Sequence, residues 1–108
     1  QVDRRLLGQV FIGTPHIAGY SGDGKANATR MALQAYCRFF GLEEDFTIEP
    51  PAPASPVVHA RTEAEALLQV YDPMADSLRL KAAPECFEAL RGNYHYRREA
   101  GAYTFVIA

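Results

Sequence analysis

Four prolines fall within eight residues, Glu49-Pro50-Pro51-Ala52-Pro53-Ala54-Ser55-Pro56, and no regular element can run through them. Each proline fixes its own φ and lacks the amide donor that a helix interior or a central strand requires, so the segment takes extended polyproline geometry. The chain is thereby divided into a front part, residues 1–48, a linker, residues 49–56, and a back part, residues 57–108. Each part must build its own helices and strands.

In the front part, residues 2–7 read as the end of a helix closed by Gly8, and Gln9 to Ile12 as a short strand. A long helix is predicted from Asp23 to Phe40, capped by Ser21, charged favourably by Asp23 in its first turn and stopped at Gly41. Asn27, Arg30, Gln34 and Arg38 form one narrow polar face; Met31, Leu33, Tyr36, Cys37, Phe39 and Phe40 occupy much of the remainder. A helix so apolar around its circumference is expected to be packed on two sides. The back part reads as strand (57–60), helix (62–71, N-cap Thr62), loop (72–83), helix (84–90, Pro84 at its first position) and strand (103 onward). The expected class is α+β, and a unit of roughly 50 residues is marginal alone, so a second copy covering its sheet would supply the missing burial.

At 108 residues the chain holds one modest domain's worth of core, with 48% apolar and 22% charged residues, an ordinary globular balance. A net charge of −2 gives no basis for general nucleic-acid or membrane-surface binding, and no apolar run approaches the roughly 20 residues of a membrane span. The charged first residues have no signal-peptide pattern. Cys37 and Cys86, without CxxC spacing, read as small buried thiols of a reducing, cytoplasmic setting; a disulfide stays open as the alternative. No spacing of His, Cys, Asp and Glu points to a metal site. The chain starts inside a helical pattern and stops inside an apolar strand, and both ends read as cuts in a longer polypeptide.

The densest chemical signal is Thr14-Pro15-His16-Ile17-Ala18-Gly19-Tyr20. Pro15 sends the chain extended into His16, Gly19 permits a close backbone approach, and histidine exchanges a proton near neutrality. Downstream, Gly19 to Ala26 falls one residue short of the phosphate-binding pattern GxxxxGK[ST]. Ala26 replaces the hydroxyl that would hold Mg²⁺, and Asp23 sets a negative charge where phosphates would lie, which argues against nucleotide hydrolysis. Lys25 reads either as a solvated helix-start lysine or as a group steering a phosphorylated ligand. Tyr94-His95-Tyr96-Arg97-Arg98-Glu99 reads as a salt-bridged turn, or else Arg97 or Arg98 reaches a partner's site. His59 reads as structural and His95 as exposed.

The string Thr14 to Gly19 on a strand-to-helix loop resembles the catalytic-histidine segment of the D-2-hydroxyacid dehydrogenases, which are NAD-dependent. The resemblance implies that His16 is general base when a 2-hydroxy acid is oxidised and general acid in the reverse direction. It implies that Gly19 packs its backbone against NAD and that Tyr20 hydrogen-bonds substrate; the alternatives are a plain turn glycine for Gly19 and packing over the helix start for Tyr20. With Gly24-Lys25 and the module after the prolines, it points to a phosphorylated 2-hydroxy acid as substrate. It further implies that residues 1–48 end a Rossmann-type nucleotide-binding domain and that residues 57–108 form a small α/β sandwich-like homodimerisation module. The family's GxGxxG turn and its paired arginine and carboxylate precede the histidine and are absent here. The alternatives are a non-catalytic homodimerisation module and a fragment of another D-2-hydroxyacid dehydrogenase.

Overall fold

A computed structural model describes residues 1–108. Helix α1 (Arg4–Gln9) is capped by the Asp3 carboxylate, which accepts from the Leu6 amide. It runs through Gly8 and ends at an extended Val10, so Gly8 is not its cap. The strand expected over Gln9–Ile12 does not form: a strand needs a ladder partner, and no other strand of the chain pairs with this segment. The Lys81 ammonium binds the Val10 and Phe11 carbonyls instead.

Helix α2 (Gly22–Phe40) matches its predicted caps. Ser21 Oγ accepts from the Gly24 amide, and Gly41 takes the left-handed conformation (φ 64°) that lets Leu42 N–H bond the Cys37 carbonyl. Its packing differs from the expectation. Only Gly22, Ala26 and Cys37 are buried, while Phe39 is 82% exposed and Met31 67%, because no other element of the chain reaches those faces.

Beyond the prolines come β1 (Val57–Ala60), α3 (Glu63–Val70), α4 (Pro73–Ala82), a 3₁₀ turn (Pro84–Cys86), α5 (Phe87–Gly92), a second 3₁₀ turn (Ala100–Ala102) and β2 (Thr104–Ile107). β1 and β2 pair in parallel, Val57 opposite Thr104 and Ala60 opposite Ile107. The helices between them make the crossover that parallel strands require. Alternation in β1 turns Val58 and Ala60 onto Ala66 of α3, with Val70, Tyr103 and Phe105 around them; this is the main apolar core. Its other face, with Val57 and Val106, is open. His59 lies on that exposed side and so does not serve the core, and Cys86 is also exposed. Both thiols are free.

Helix α4 replaces the expected 72–83 loop. Its signals match those at Thr62: Asp72 caps the Met74 amide, Pro73 opens the first turn, and Arg79 and Lys81 sit in the last. The fold is thus a mixed α+β arrangement around a small parallel sheet. Its radius of gyration is 17.5 Å, whereas a chain of this length closed around its own core has about 13 Å. The excess reflects the uncovered faces of α2 and the sheet. No helix is long and apolar enough to cross a membrane.

Candidate active site

The loop between α1 and α2 is anchored at alternate points. The Gly13 amide bonds Ser77 Oγ of α4 at 3.0 Å, Pro15 and Ile17 are buried, and Ser21 is buried at the start of α2. His16 lies between two buried neighbours and is itself exposed, with φ +59° and its amide on the Thr14 carbonyl at 2.9 Å. A non-glycine residue in this left-handed region carries strain, which the two anchors on either side hold in place. Its carbonyl accepts from Arg91 Nε of α5 at 3.3 Å.

Tyr20 is half-buried, closed into a turn by its amide on the Ile17 carbonyl. The Lys25 ammonium lies 4.6 Å and the Arg91 guanidinium 5.3 Å from its ring centre, and Tyr94 meets it edge-on at 6.2 Å. Tyr20 and Lys25 thus meet where the loop joins α2, and α5 adds Arg91, which touches both the Tyr20 ring and the His16 carbonyl and which the sequence reading did not single out. Nothing in local spacing announces Arg91, since it reaches the loop only through the crossover. Gly19 is exposed, and a side chain there would meet nothing within 4 Å, so its backbone offers an open edge. No nucleotide-holding motif accompanies it. Beside the loop, Pro15, Asp76, Arg79, Tyr94 and His95 line part of a cleft of about 460 Å³.

The 94–99 segment is tied down inside the chain. Arg98 grips Asp23 with two hydrogen bonds at 2.9 Å and also reaches the Pro51 carbonyl. Its guanidinium, acting through these bonds, holds the Asp23 carboxyl below the usual carboxylate range. Tyr96 donates to the same Pro51 carbonyl, and Ser21 donates to Glu99. Arg97 is 8% exposed, with its guanidinium carbon 4.2 Å from the Tyr71 ring centre. Arg98 is thus ion-paired within this chain, as the salt-bridged-turn reading expected, whereas Arg97 lies over the Tyr71 ring without an ion pair. Asp76, 4% exposed, accepts from Tyr94 Oη at 2.7 Å and Arg79 Nη1 at 2.8 Å. Burial first, and the Asp76 carboxylate next, push the Tyr94 hydroxyl up to about 12.

Gly24 has a steric explanation rather than a phosphate one. A Cβ there would stand 2.8 Å from the Gly19 carbonyl oxygen, a backbone atom with little room to yield. Gly24→Ala gains about 1 kcal/mol of helix preference but incurs roughly 1–3 kcal/mol of overpacking. The expected outcome is a lower thermal midpoint; an unchanged or raised midpoint would show that the Gly19 carbonyl moves freely. No group of three or more His, Cys, Asp or Glu is placed to hold a metal ion.

Relatives supply the wider frame. The chain is 58% identical over 106 residues, 98% of its length, to a Bacteroides thetaiotaomicron protein named erythronate-4-phosphate dehydrogenase. This sequence is homologous to part of that enzyme. Proteins of the same name from Porphyromonas gingivalis and Acinetobacter baumannii are 41% and 34% identical over 99% and 94% of the chain. The chain spans about 30% of the length of the erythronate-4-phosphate dehydrogenases it matches. No protein-family model matches it.

Proposed function

We propose that the chain is the C-terminal part of a cytoplasmic NAD-dependent dehydrogenase that oxidises 4-phospho-D-erythronate to 3-hydroxy-2-oxo-4-phosphobutanoate, on the route to pyridoxal phosphate. The observation that carries this is 58% identity across nearly the whole chain, including the histidine loop, to proteins named for that activity. When bound, NAD would supply the hydride acceptor for C2 of the substrate. His16 accepts the proton released from the 2-hydroxyl, which neutral imidazole does through one ring nitrogen. Tyr20 hydrogen-bonds the substrate, and Gly19 lends its open backbone edge to the nicotinamide side. Residues 1–48 complete the nucleotide-binding domain, and residues 57–108 form a homodimerisation module whose bare sheet face a second copy covers. The exposed Val57 and Val106 support that reading, as do the uncovered α2 residues.

The test is an assay of the complete polypeptide for NADH formation from 4-phospho-D-erythronate. Turnover with this acid in preference to unphosphorylated 2-hydroxy acids is expected. Preference for an unphosphorylated acid would favour another D-2-hydroxyacid dehydrogenase, and no turnover with either would favour the non-catalytic module. Residues 1–108 alone, lacking the GxGxxG turn, are expected neither to bind NAD usefully nor to turn over, while sedimenting as a dimer.

A further inference from the structure

We propose that Lys25 and Arg91, both set against the Tyr20 ring, together form the seat for the substrate's phosphate. The proposal deepens the dehydrogenase reading and rests on it. Two cations approach one tyrosine ring, at 4.6 and 5.3 Å from its centre, and one of them, Arg91, also binds the His16 carbonyl. Like charges gathered around one ring repel, and a ring face compensates only modestly at an exposed position.

The neighbouring acids are already committed. Asp23 is held by Arg98 and the Glu99 amide, and Glu99 accepts from Ser21. Lys25 enters no ion pair. Arg91 has only Glu88, at 4.0 Å and with a side chain 84% exposed. At this place Lys25 has no anion and Arg91 only a long, solvent-exposed pairing. A dianionic phosphate monoester supplies the missing charge and accepts from both donors. The two cations come from different parts of the sequence: Lys25 from the first turns of α2, and Arg91 from α5 beyond the prolines. Arg91 also holds the His16 carbonyl, so the seat and the proton-transferring loop are fixed by one side chain.

The experiment uses the complete polypeptide with Lys25→Met and Arg91→Met, each beside its conservative partner, Lys25→Arg and Arg91→Lys. Losing one charge-assisted bond is expected to raise KM for the phosphorylated acid by about tenfold or more, with a much smaller change in KM for NAD. Selectivity over the unphosphorylated acid should fall by a similar factor, and the conservative variants should recover part of it. Equal losses on both acids, or an unmoved KM, would overturn the proposal. A second measurement, independent of turnover, titrates inorganic phosphate and follows Tyr20 and Lys25 resonances. Phosphate binding that disappears in the Lys25→Met, Arg91→Met double variant upholds the seat even if no dehydrogenase activity is found. Binding that survives the double substitution removes the seat while leaving the dehydrogenase reading intact.

Discussion

Replacing His16 by Asn in the complete polypeptide is expected to lower kcat about 10²–10⁴-fold, with KM for substrate and the thermal midpoint little changed. The choice of asparagine follows from the backbone. His16 has φ +59°, and asparagine is among the few residues that enter this region readily, so the loop keeps its shape. Alanine would confound loss of the imidazole with relaxation of the turn. The side chain is exposed between the buried Pro15 and Ile17, so its removal opens no cavity and strands no buried partner. What it removes, on the proposed function, is the proton acceptor. Hydride cannot leave C2 for the nicotinamide unless the 2-hydroxyl proton departs, and without a positioned base that proton passes to water less effectively. Activity within a few-fold of the parent would mean that another group accepts the proton. Loss of stability in step with loss of rate would mean that the ring serves the loop rather than the chemistry.

The elements that local chemistry specifies were legible in the sequence. Ser21, Gly41 and Thr62 cap their helices as read, because each cap is a contact within a few residues. The apolar run Gln9–Ile12 does not form its expected strand, because such a run becomes a strand only when another strand pairs with it. Helix α4 was missed although Asp72-Pro73 carries a full start signal, since its polar residues hide any apolar stripe. At the site, the motif located His16, Gly19 and Tyr20 in one loop. Arg91 could not be found that way, because a crossover, not sequence proximity, delivers it to the Tyr20 ring. The same holds for the Asp23–Arg98 clasp, whose partners are far apart in sequence.

The missed helix also carries the largest expected effect on stability. Asp76 of α4 is 4% exposed and accepts from both Tyr94 and Arg79; Arg97, 8% exposed, acts on the same tyrosine, its Nε without a partner. Asp76→Ala leaves the Tyr94 hydroxyl unsatisfied and removes the nearest buried negative charge from Arg97, for an expected loss of about 2–4 kcal/mol. Arg79, largely in solvent, contributes little to that loss. Asp76→Asn keeps an acceptor for Tyr94 and should cost distinctly less; denaturant midpoints of the two variants measure the difference.

The same pair sets a pH limit at the alkaline end. The Tyr94 hydroxyl titrates at about 12 in the folded chain and near 10 when unfolded. The folded state therefore holds more protons across that window, so the stabilisation is complete below about 10 and is lost as pH rises toward 12. Tyr94→Phe should flatten this decline, and a decline that persists would place its origin elsewhere. The consequence reaches the site because Ser77, next to Asp76 on α4, holds the Gly13 amide at the entrance to the His16 loop. Asp76→Ala should lower the midpoint and the rate together, the signature that separates a residue holding the loop from the histidine it presents.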